Sequence, residues 1–338
     1  MVVVLSALAI AGVVESSRVE EGWDIAERLH WAWVAAAVAA ESASMASLAR
    51  SQRQLLRVGG KELSMRSAVA VTYAGNAMSV SLPFVGAGVG TAFTFNHWRR
   101  RGLDSAAIGW ALTVSGIMST LSFALLMTVG AAVSGNRAAL IVGLSGAAVS
   151  ALPALALLAG VRVAAVRRVL LALADKAVRA SRRVTGRPKS DLVEVLEGLL
   201  NKAGSLHATP GQYAIAFALS LRNWGADCMC LITSIKAAGA NVPWHGILLV
   251  YCLAVTAGST GITPGGLGVI EVTMTAGLVG AGLPAKSALV GVLVYRAVSF
   301  WLVVAIGWIV AARLAKRPDV VLEAEAELAE FADDSPRR

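Results

Sequence analysis

The feature that most constrains this chain is a succession of long apolar stretches separated by short stretches rich in lysine and arginine. Of the 338 residues, 57% are hydrophobic and only 15% are charged, whereas a soluble domain is about 25% charged. An apolar helix of about 20 residues spans a bilayer. We therefore predict an all-α polytopic integral membrane protein. The composition excludes most soluble enzymes, DNA-binding modules and disordered chains.

Hydropathy predicts about six full transmembrane helices. They cover residues 1–14, 31–48, 105–133, 138–161, 212–235 and 285–312. The first run is short and lacks the basic start of a signal peptide, so we interpret it as a helix that begins abruptly. The transmembrane domain is predicted to cover 1–318, followed by an acidic polar tail at 319–338.

The distribution of lysine and arginine predicts the orientation, because short cytoplasmic loops are enriched in both. If the segments 50–66, 99–101 and 162–202 and the C-terminus face the cytoplasm, that side holds 23 basic residues and the other side five. Both termini of this multi-pass protein are therefore predicted to be cytoplasmic.

Two apolar stretches are interrupted by proline and glycine. The stretch 67–96 is broken near Pro83 and has positive charge at both ends, so it must enter and leave from the cytoplasm. The stretch 244–283 is broken near Pro264 and must turn back from the outside. Broken backbone is tolerated at membrane depth only inside protein or beside a polar cavity. These stretches predict two opposed re-entrant helical hairpins.

The two interrupted stretches also resemble each other. One constant shift superposes the Gly-Ala-Gly-Val run at 86–89 on the Gly-Leu-Gly-Val run at 266–269, and also Gly102 on Gly282. We predict an inverted repeat, with a first copy at about 29–133 and a second at about 208–313. Such repeats with broken helices are typical of transporters with a site at the midplane. The alternative is a bundle whose glycines only permit close helix packing.

The segment 162–206 carries ten lysines and arginines against four acidic residues. It is predicted to be a cytoplasmic amphipathic linker that lies on the anionic membrane surface. A lipid-modifying enzyme that docks there and a homo-oligomer are the other partners considered. The net charge of +9 is explained by such loops, so no nucleic acid partner is predicted.

Two motifs resemble a known family. They are Thr-Pro-Gly-Gly-Leu-Gly-Val-Ile-Glu at 263–271 and Val-Tyr-Arg-Ala-Val-Ser-Phe-Trp at 294–301. Together they resemble the membrane region of lysylphosphatidylglycerol synthase/flippases, of which the multiple peptide resistance factor is the best-known member. The resemblance covers about residues 1–318.

The earlier motif, from Asn76 through Pro83 to Gly88, is similar to the first re-entrant motif of the family. It departs from the family where many members carry an acidic residue, because Thr91 stands at the position that matches Glu271. The sequence therefore does not predict a mechanism with two symmetric carboxylates.

The resemblance implies translocation of a phospholipid headgroup from the inner to the outer leaflet of the bacterial inner membrane. We expect a passive or gradient-coupled translocator of an anionic or aminoacylated phospholipid, or of a polyprenyl-phosphate carrier. The resemblance does not imply enzyme activity, because the polar segments are too short for a synthase domain. The sequence holds no phosphate-binding Walker loop, so ATP bound to this chain does not drive transport. The alternatives are a non-transporting scaffold or accessory subunit for a lipid-modifying transferase, and an enzyme that acts on lipid at the membrane face.

Arg296 and Glu271 are ionisable residues within apolar sequence, where each costs about 2.5–3.5 kcal/mol unless it has a partner. We predict that Arg296 binds the lipid phosphate, and that Glu271 binds a cationic headgroup or, in the empty state, Arg296. The alternative is a structural ion pair between two helices. The complete predicted substrate-binding set is Arg296, Glu271, Pro264, Gly265, Gly266, Gly268, Tyr295, Asn76, Pro83, Gly86 and Gly88.

Two further groups of residues lie within or beside the apolar stretches. Arg222 and Asp227 lie five residues apart in one predicted span, either as a site pair or with Arg222 as an arginine that reaches the membrane surface. The three cysteines lie in apolar stretches and the four histidines at the ends of spans. No metal site, catalytic residue or cofactor is therefore predicted.

Overall fold

The computed structural model describes residues 29–60, 63–135 and 208–316, with scattered positions between 137 and 152. Within these residues all regular structure is helical, which confirms the predicted all-α class. The run 1–14, most of the span 138–161, the linker 162–206 and the tail 319–338 lie outside the described residues.

Within the described residues, four helical segments are long and apolar enough to cross a membrane. They are α1 (Trp31–Leu56), α4 (Ser105–Val133), α5 (Pro210–Ala237), and α8 (Ala285–Arg296) continued by α9 (Val303–Lys316). Local capping fixes where two of them begin. The Asp104 side chain accepts the first amide hydrogens of α4, and Thr209 and Gln212 form a reciprocal capping box on α5.

Four shorter helices form two hairpins. In the first, α2 (Met65–Ser81) turns into α3 (Gly86–Arg100); in the second, α6 (Ile247–Gly258) is followed by α7 (Val269–Gly280). The breaks fall at Pro83 and Pro264, as the sequence predicts. At about 1.5 Å per residue each of these helices is shorter than the roughly 30 Å hydrocarbon core of a bilayer.

Glycines let the two arms of each hairpin pack closely. A Cβ on Gly86 would overlap the carbonyl of Ser79, and one on Gly90 would overlap the carbonyl of Gly75. In the second hairpin, Gly277 packs against Val250. This contact of small residues with backbone is the packing that GxxxG-like sequences permit.

The hairpins open toward opposite ends of the bundle, and their tips meet. The amide of Phe84 in the first tip donates a hydrogen bond to the carbonyl of Gly261 in the second, over 3.0 Å. The open end of the first hairpin packs with Leu55 and Leu103, where α1 ends and α4 begins. The open end of the second packs with Ala37 and Ile235, where α1 begins and α5 ends.

Helices α1 and α5 run antiparallel through the centre. The amide of His30 donates to the carbonyl of Ala237 over 3.0 Å, which fixes the start of α1 beside the end of α5. Near the middle, the Asn223 side chain donates to the carbonyl and the hydroxyl of Ser44, over 3.1 and 2.7 Å. This helix pair connects the two halves of the chain.

The last span is not a continuous α-helix. A π-helical turn, Ala297–Leu302, joins α8 to α9 directly after Arg296. The sequence analysis treated 285–312 as one uninterrupted span, because no proline or glycine marks a π-helical turn. Such turns occur frequently at functional sites, and this one brings Phe300 against Arg296.

Candidate functional site

Arg296 is the centre of a buried polar cluster at the tip of the second hairpin. Its side chain is only 7% exposed. The Nε atom donates to Oε1 of Glu271 over 2.6 Å, and Nη2 donates to the carbonyl of Gly265 over 2.9 Å. The guanidinium carbon lies 4.5 Å from the ring centre of Phe300, within the range of a cation–π contact.

Glu271 joins the start of α7 to Arg296. It is the third residue of the helix, and its Oε2 accepts a hydrogen bond from the amide of Gly268 over 2.7 Å. One carboxylate therefore caps its own helix and holds the guanidinium of another. A carboxylate in the first turn is also favoured by the helix dipole.

In the turn between α6 and α7, one residue has a left-handed backbone conformation that favours glycine. Gly265 has φ +55°, and a Cβ there would overlap the ring of Phe300. Because this residue has no side chain, its carbonyl reaches Arg296 while the ring packs underneath. The glycine, the aromatic ring and the carboxylate together enclose the guanidinium.

The structure brings some of the predicted site residues together. Arg296 contacts Glu271 and Gly265 directly. Gly268 is linked to Arg296 indirectly, because its amide donates a hydrogen bond to Glu271. Pro264 and Gly266 belong to the same turn, a short 3₁₀ segment, Pro264–Gly266. Tyr295 is buried, with 3% exposure, and lies beside Asp227 rather than in this turn.

The remaining predicted residues lie in the first hairpin, away from the Arg296 cluster. Asn76 points its Nδ2 at the sulfur of Met45, over 3.8 Å. Gly86 is a packing glycine, and Pro83 and Gly88 are exposed near the tip. Their role in substrate binding stays a prediction.

The first half of the molecule contains a cavity that adjoins an open groove. A cavity of about 130 Å³ between α1, α2 and α3 is lined by Asn76, Thr72 and Thr91, among others. It shares Thr91 and Gln52 with a more open groove of about 450 Å³ that extends along α4. Gln52 accepts a hydrogen bond from Thr72 over 3.4 Å at the boundary between them.

This groove occupies the place in the first half that the Arg296 cluster occupies in the second. One constant difference in residue number aligns the start of α4 with the start of α8, and it also aligns the end of α3 with the end of α7. In that register Thr91 corresponds to Glu271, and Gly116 corresponds to Arg296. Both Thr91 and Gly116 line the open groove. One half is therefore filled by an ion pair, whereas the other is open and lined by hydroxyl-bearing and apolar side chains together.

Glu41, a carboxylate in the middle of α1 that is 5% exposed, is a polar residue of the site that was not predicted from the sequence. It lies in hydrogen-bonding contact with Asp227 of α5, which also accepts a hydrogen bond from the Tyr251 hydroxyl over 2.7 Å. The one signal in the sequence was a single acidic residue within the apolar run 31–48. Arg222 is exposed, so the structure does not pair it with Asp227.

The fold and the site define a class: a polytopic helical membrane protein in which two broken helices meet beside a buried arginine. Comparison with family models identifies the family, because the model of the lysylphosphatidylglycerol synthase transmembrane region matches residues 1–307. The chain belongs to that family, which confirms the resemblance of its sequence motifs.

A relative is known from an archaeon. The chain is 34% identical over 93 residues to a UPF0104 membrane protein of Methanothermobacter thermautotrophicus. The matched region covers 28% of this chain and 28% of the relative. The likeness therefore supports a membrane protein of this type.

Proposed function

We propose that this protein is a lipid translocase that moves an anionic or aminoacylated phospholipid between the leaflets of the cell membrane. The observation that carries the proposal is the buried arginine of α8 that contacts the tip of the second hairpin, in a molecule whose other half holds an open groove. The family supports a role connected with membrane lipid. ATP bound to this chain is not part of the mechanism.

The Arg296 cluster has the chemistry to exchange one anion for another. A guanidinium binds carboxylate and phosphate oxygens with similar geometry. A lipid phosphate that replaces the Glu271 carboxylate on Nε leaves the number of charge-assisted hydrogen bonds unchanged. The displaced Glu271 is then available to accept the ammonium group of an aminoacylated headgroup, and the Gly268 amide keeps it in place.

The placement of the hairpins suits alternating access. In this proposal both hairpins are re-entrant, the first opening to the cytoplasm and the second to the outside, with both termini cytoplasmic. The two repeats rock around the contact between Phe84 and Gly261. The groove lined by Thr91 and Gly116 is the route by which a headgroup leaves one leaflet.

The experiment is a lipid translocation assay in proteoliposomes. Fluorescent phosphatidylglycerol and a fluorescent lysyl-modified lipid are quenched from outside by dithionite, which removes only outer-leaflet fluorescence. We expect quenching beyond the outer-leaflet half with the wild type, and at least a tenfold slower rate with Arg296→Ala, equivalent to about 1.4 kcal/mol. Arg222→Ala is the matched control, because Arg222 is exposed on α5, and it should retain the rate.

A non-transporting scaffold is the second candidate, and one observation favours it. Both oxygens of Glu271 and two nitrogens of Arg296 are already hydrogen-bonded, as in an ion pair that only fixes two helices. A folded wild type that moves neither lipid would support this candidate. Replacing the segment 162–206 should then abolish capture of a lipid-modifying enzyme, while Glu271→Gln should leave it intact.

A further inference from the structure

Two carboxyl groups meet at the centre of the bundle without enough hydrogen-bond donors. Glu41 of α1 is 5% exposed and lies in hydrogen-bonding contact with Asp227 of α5. The Tyr251 hydroxyl donates to Oδ2 of Asp227 over 2.7 Å, and the Tyr295 hydroxyl also lies within hydrogen-bonding range of this carboxyl group. Within the described residues, no donor reaches Oε2 of Glu41 or Oδ1 of Asp227, although both atoms are buried.

This arrangement is unfavourable if both groups are ionised. Like charges in a buried site repel each other strongly, so that adjacent carboxylates do not both ionise. Each buried acceptor without a donor adds a further cost, because it has lost its hydrogen bonds to water. One proton relieves both penalties, since it turns one carboxylate into an O–H donor that faces the other.

We propose that Glu41 and Asp227 form a proton-binding site that holds one proton between two carboxyl groups and couples it to the anion bound at Arg296. The coupling part rests on the proposed lipid translocation, whereas the proton site does not. Binding forms one O–H bond on a carboxylate oxygen and removes one negative charge from the centre of the molecule. Release reverses both changes.

The position of the pair suits this role. Glu41 is ten residues from the start of α1, and Asp227 is ten residues from the end of the antiparallel helix α5. From the rise per residue of an α-helix, each lies about 15 Å from the same end, near the midplane of a roughly 30 Å hydrocarbon core. Carboxylates at that depth are typical of proton relays in transporters.

The surroundings provide one cation and several hydroxyl and thiol groups. The titratable and charged side chains that face the pair are Tyr73 on α2, Cys228 and Cys230 on α5, Tyr251 on α6, and Tyr295 and Arg296 on α8. Arg296 thus has acidic neighbours on two sides, Glu271 in the first turn of α7 and Asp227 in α5.

The coupling follows from this shared arginine. When the pair holds its proton, one carboxylate fewer competes for Arg296, so a lipid phosphate binds there more readily. By linkage, a bound phosphate must favour proton uptake by the same factor. Proton and lipid anion are therefore expected to bind together. A metal cation fits the pair less well, because hard cations take six or more oxygen ligands and the tyrosine hydroxyl donates here.

The first test observes the proton directly and needs no transport. Infrared difference spectra of the full chain in lipid nanodiscs are recorded across a pH titration. We expect a carbonyl band of a protonated, buried carboxylic acid that disappears at high pH and shifts in D₂O. Glu41→Gln and Asp227→Asn should each remove it. Glu271→Gln is the matched control and should leave it, because both Glu271 oxygens already have donors.

The second test measures the coupling between proton binding and lipid translocation. The rate of phosphatidylglycerol translocation in proteoliposomes is compared across pH, with sodium and with potassium as the only salt. We expect at least a fivefold dependence of the wild-type rate on pH, a flat profile in Glu41→Gln, and no dependence on the cation. Monodisperse elution establishes that each variant is folded, and Asp227→Asn replaces Glu41→Gln if the latter is not.

The outcomes separate the two proposals. Lipid movement with no titrating carboxyl band, or with a band that survives in both variants, overturns the proton site and leaves the translocase standing. A sodium-dependent rate that ignores pH overturns it too. A titrating band in a wild type that moves no lipid overturns the proposed function and the coupling, while the proton site stands.

Discussion

At the scale of single residues, Arg296 is a buried cation that its neighbours hold in a fixed orientation. Its guanidinium is held by one carboxylate, one carbonyl and one aromatic ring. The ring and the carbonyl are in place only because residue 265 is glycine. Gly265 and Phe300 therefore help to orient the guanidinium, together with Glu271.

A single methyl group at Gly265 tests this enclosure. Gly265→Ala places a Cβ in the ring of Phe300 at a φ of +55°. We expect a loss of about 1–3 kcal/mol of stability and a slower translocation rate, because the carbonyl moves away from Nη2 of Arg296. Thermal unfolding of the purified protein and the dithionite assay measure the two effects.

Gly280→Ala is the matched control for that substitution. Gly280 is the last residue of α7 and has open space around its Cβ position. Alanine is favoured over glycine in helices by roughly 0.5–1 kcal/mol, so this variant should be neutral or slightly more stable. Equal stability of the two variants would show that the turn tolerates a side chain and does not enclose Arg296.

At the scale of the helices, each hairpin depends on glycines that face the opposite arm. Gly90 of α3 contacts the backbone of Gly75 and Ser79 of α2, whereas Gly88, two residues away, faces open space. The same helix therefore presents a packed face and a free face. Hairpin arms that separate would open the cavity between α2 and α3.

Alanine at these two positions distinguishes the faces. Gly90→Ala overpacks the crossing, for which a cost of about 1–3 kcal/mol is typical, so we expect a clearly lower melting temperature. Gly88→Ala should leave the melting temperature within error of the wild type. A similar loss at both positions would contradict the close packing of α2 on α3.

The helices were more predictable from the sequence than the site. Proline and glycine mark the breaks at Pro83 and Pro264, and capping residues fix helix starts, because both signals are local. The pairing of Glu41 with Asp227 joins residues from opposite halves of the chain, and it depends on how α1 and α5 pack. Likewise, the π-helical turn after Arg296 carries no local marker.

At the scale of the whole molecule, the two halves have the same order of helices but differ in the side chains at the corresponding sites. Both contain a long helix, a hairpin and a second long helix, in the same order along the chain. The second half holds the buried ion pair, and the first holds the open groove. Such asymmetry is expected if one structure represents one of two states that exchange during transport.

The opposed orientation of the hairpins is the property on which this model depends, and surface labelling tests it. In a variant whose three buried native cysteines are replaced by serine, Lys286→Cys marks the open end of the second hairpin and Arg100→Cys that of the first. Both positions are exposed. In sealed right-side-out vesicles, a membrane-impermeant maleimide should label Lys286→Cys at once and Arg100→Cys only after permeabilisation.

A third position reports on the tips. Phe84 is 77% exposed at the tip of the first hairpin, where the proposal places it within the bilayer rather than in water. Phe84→Cys should therefore resist the impermeant reagent from both sides, before and after permeabilisation. If the two open ends are labelled from the same side, the hairpins are not opposed, and rocking of two inverted repeats is no longer a mechanism for this protein.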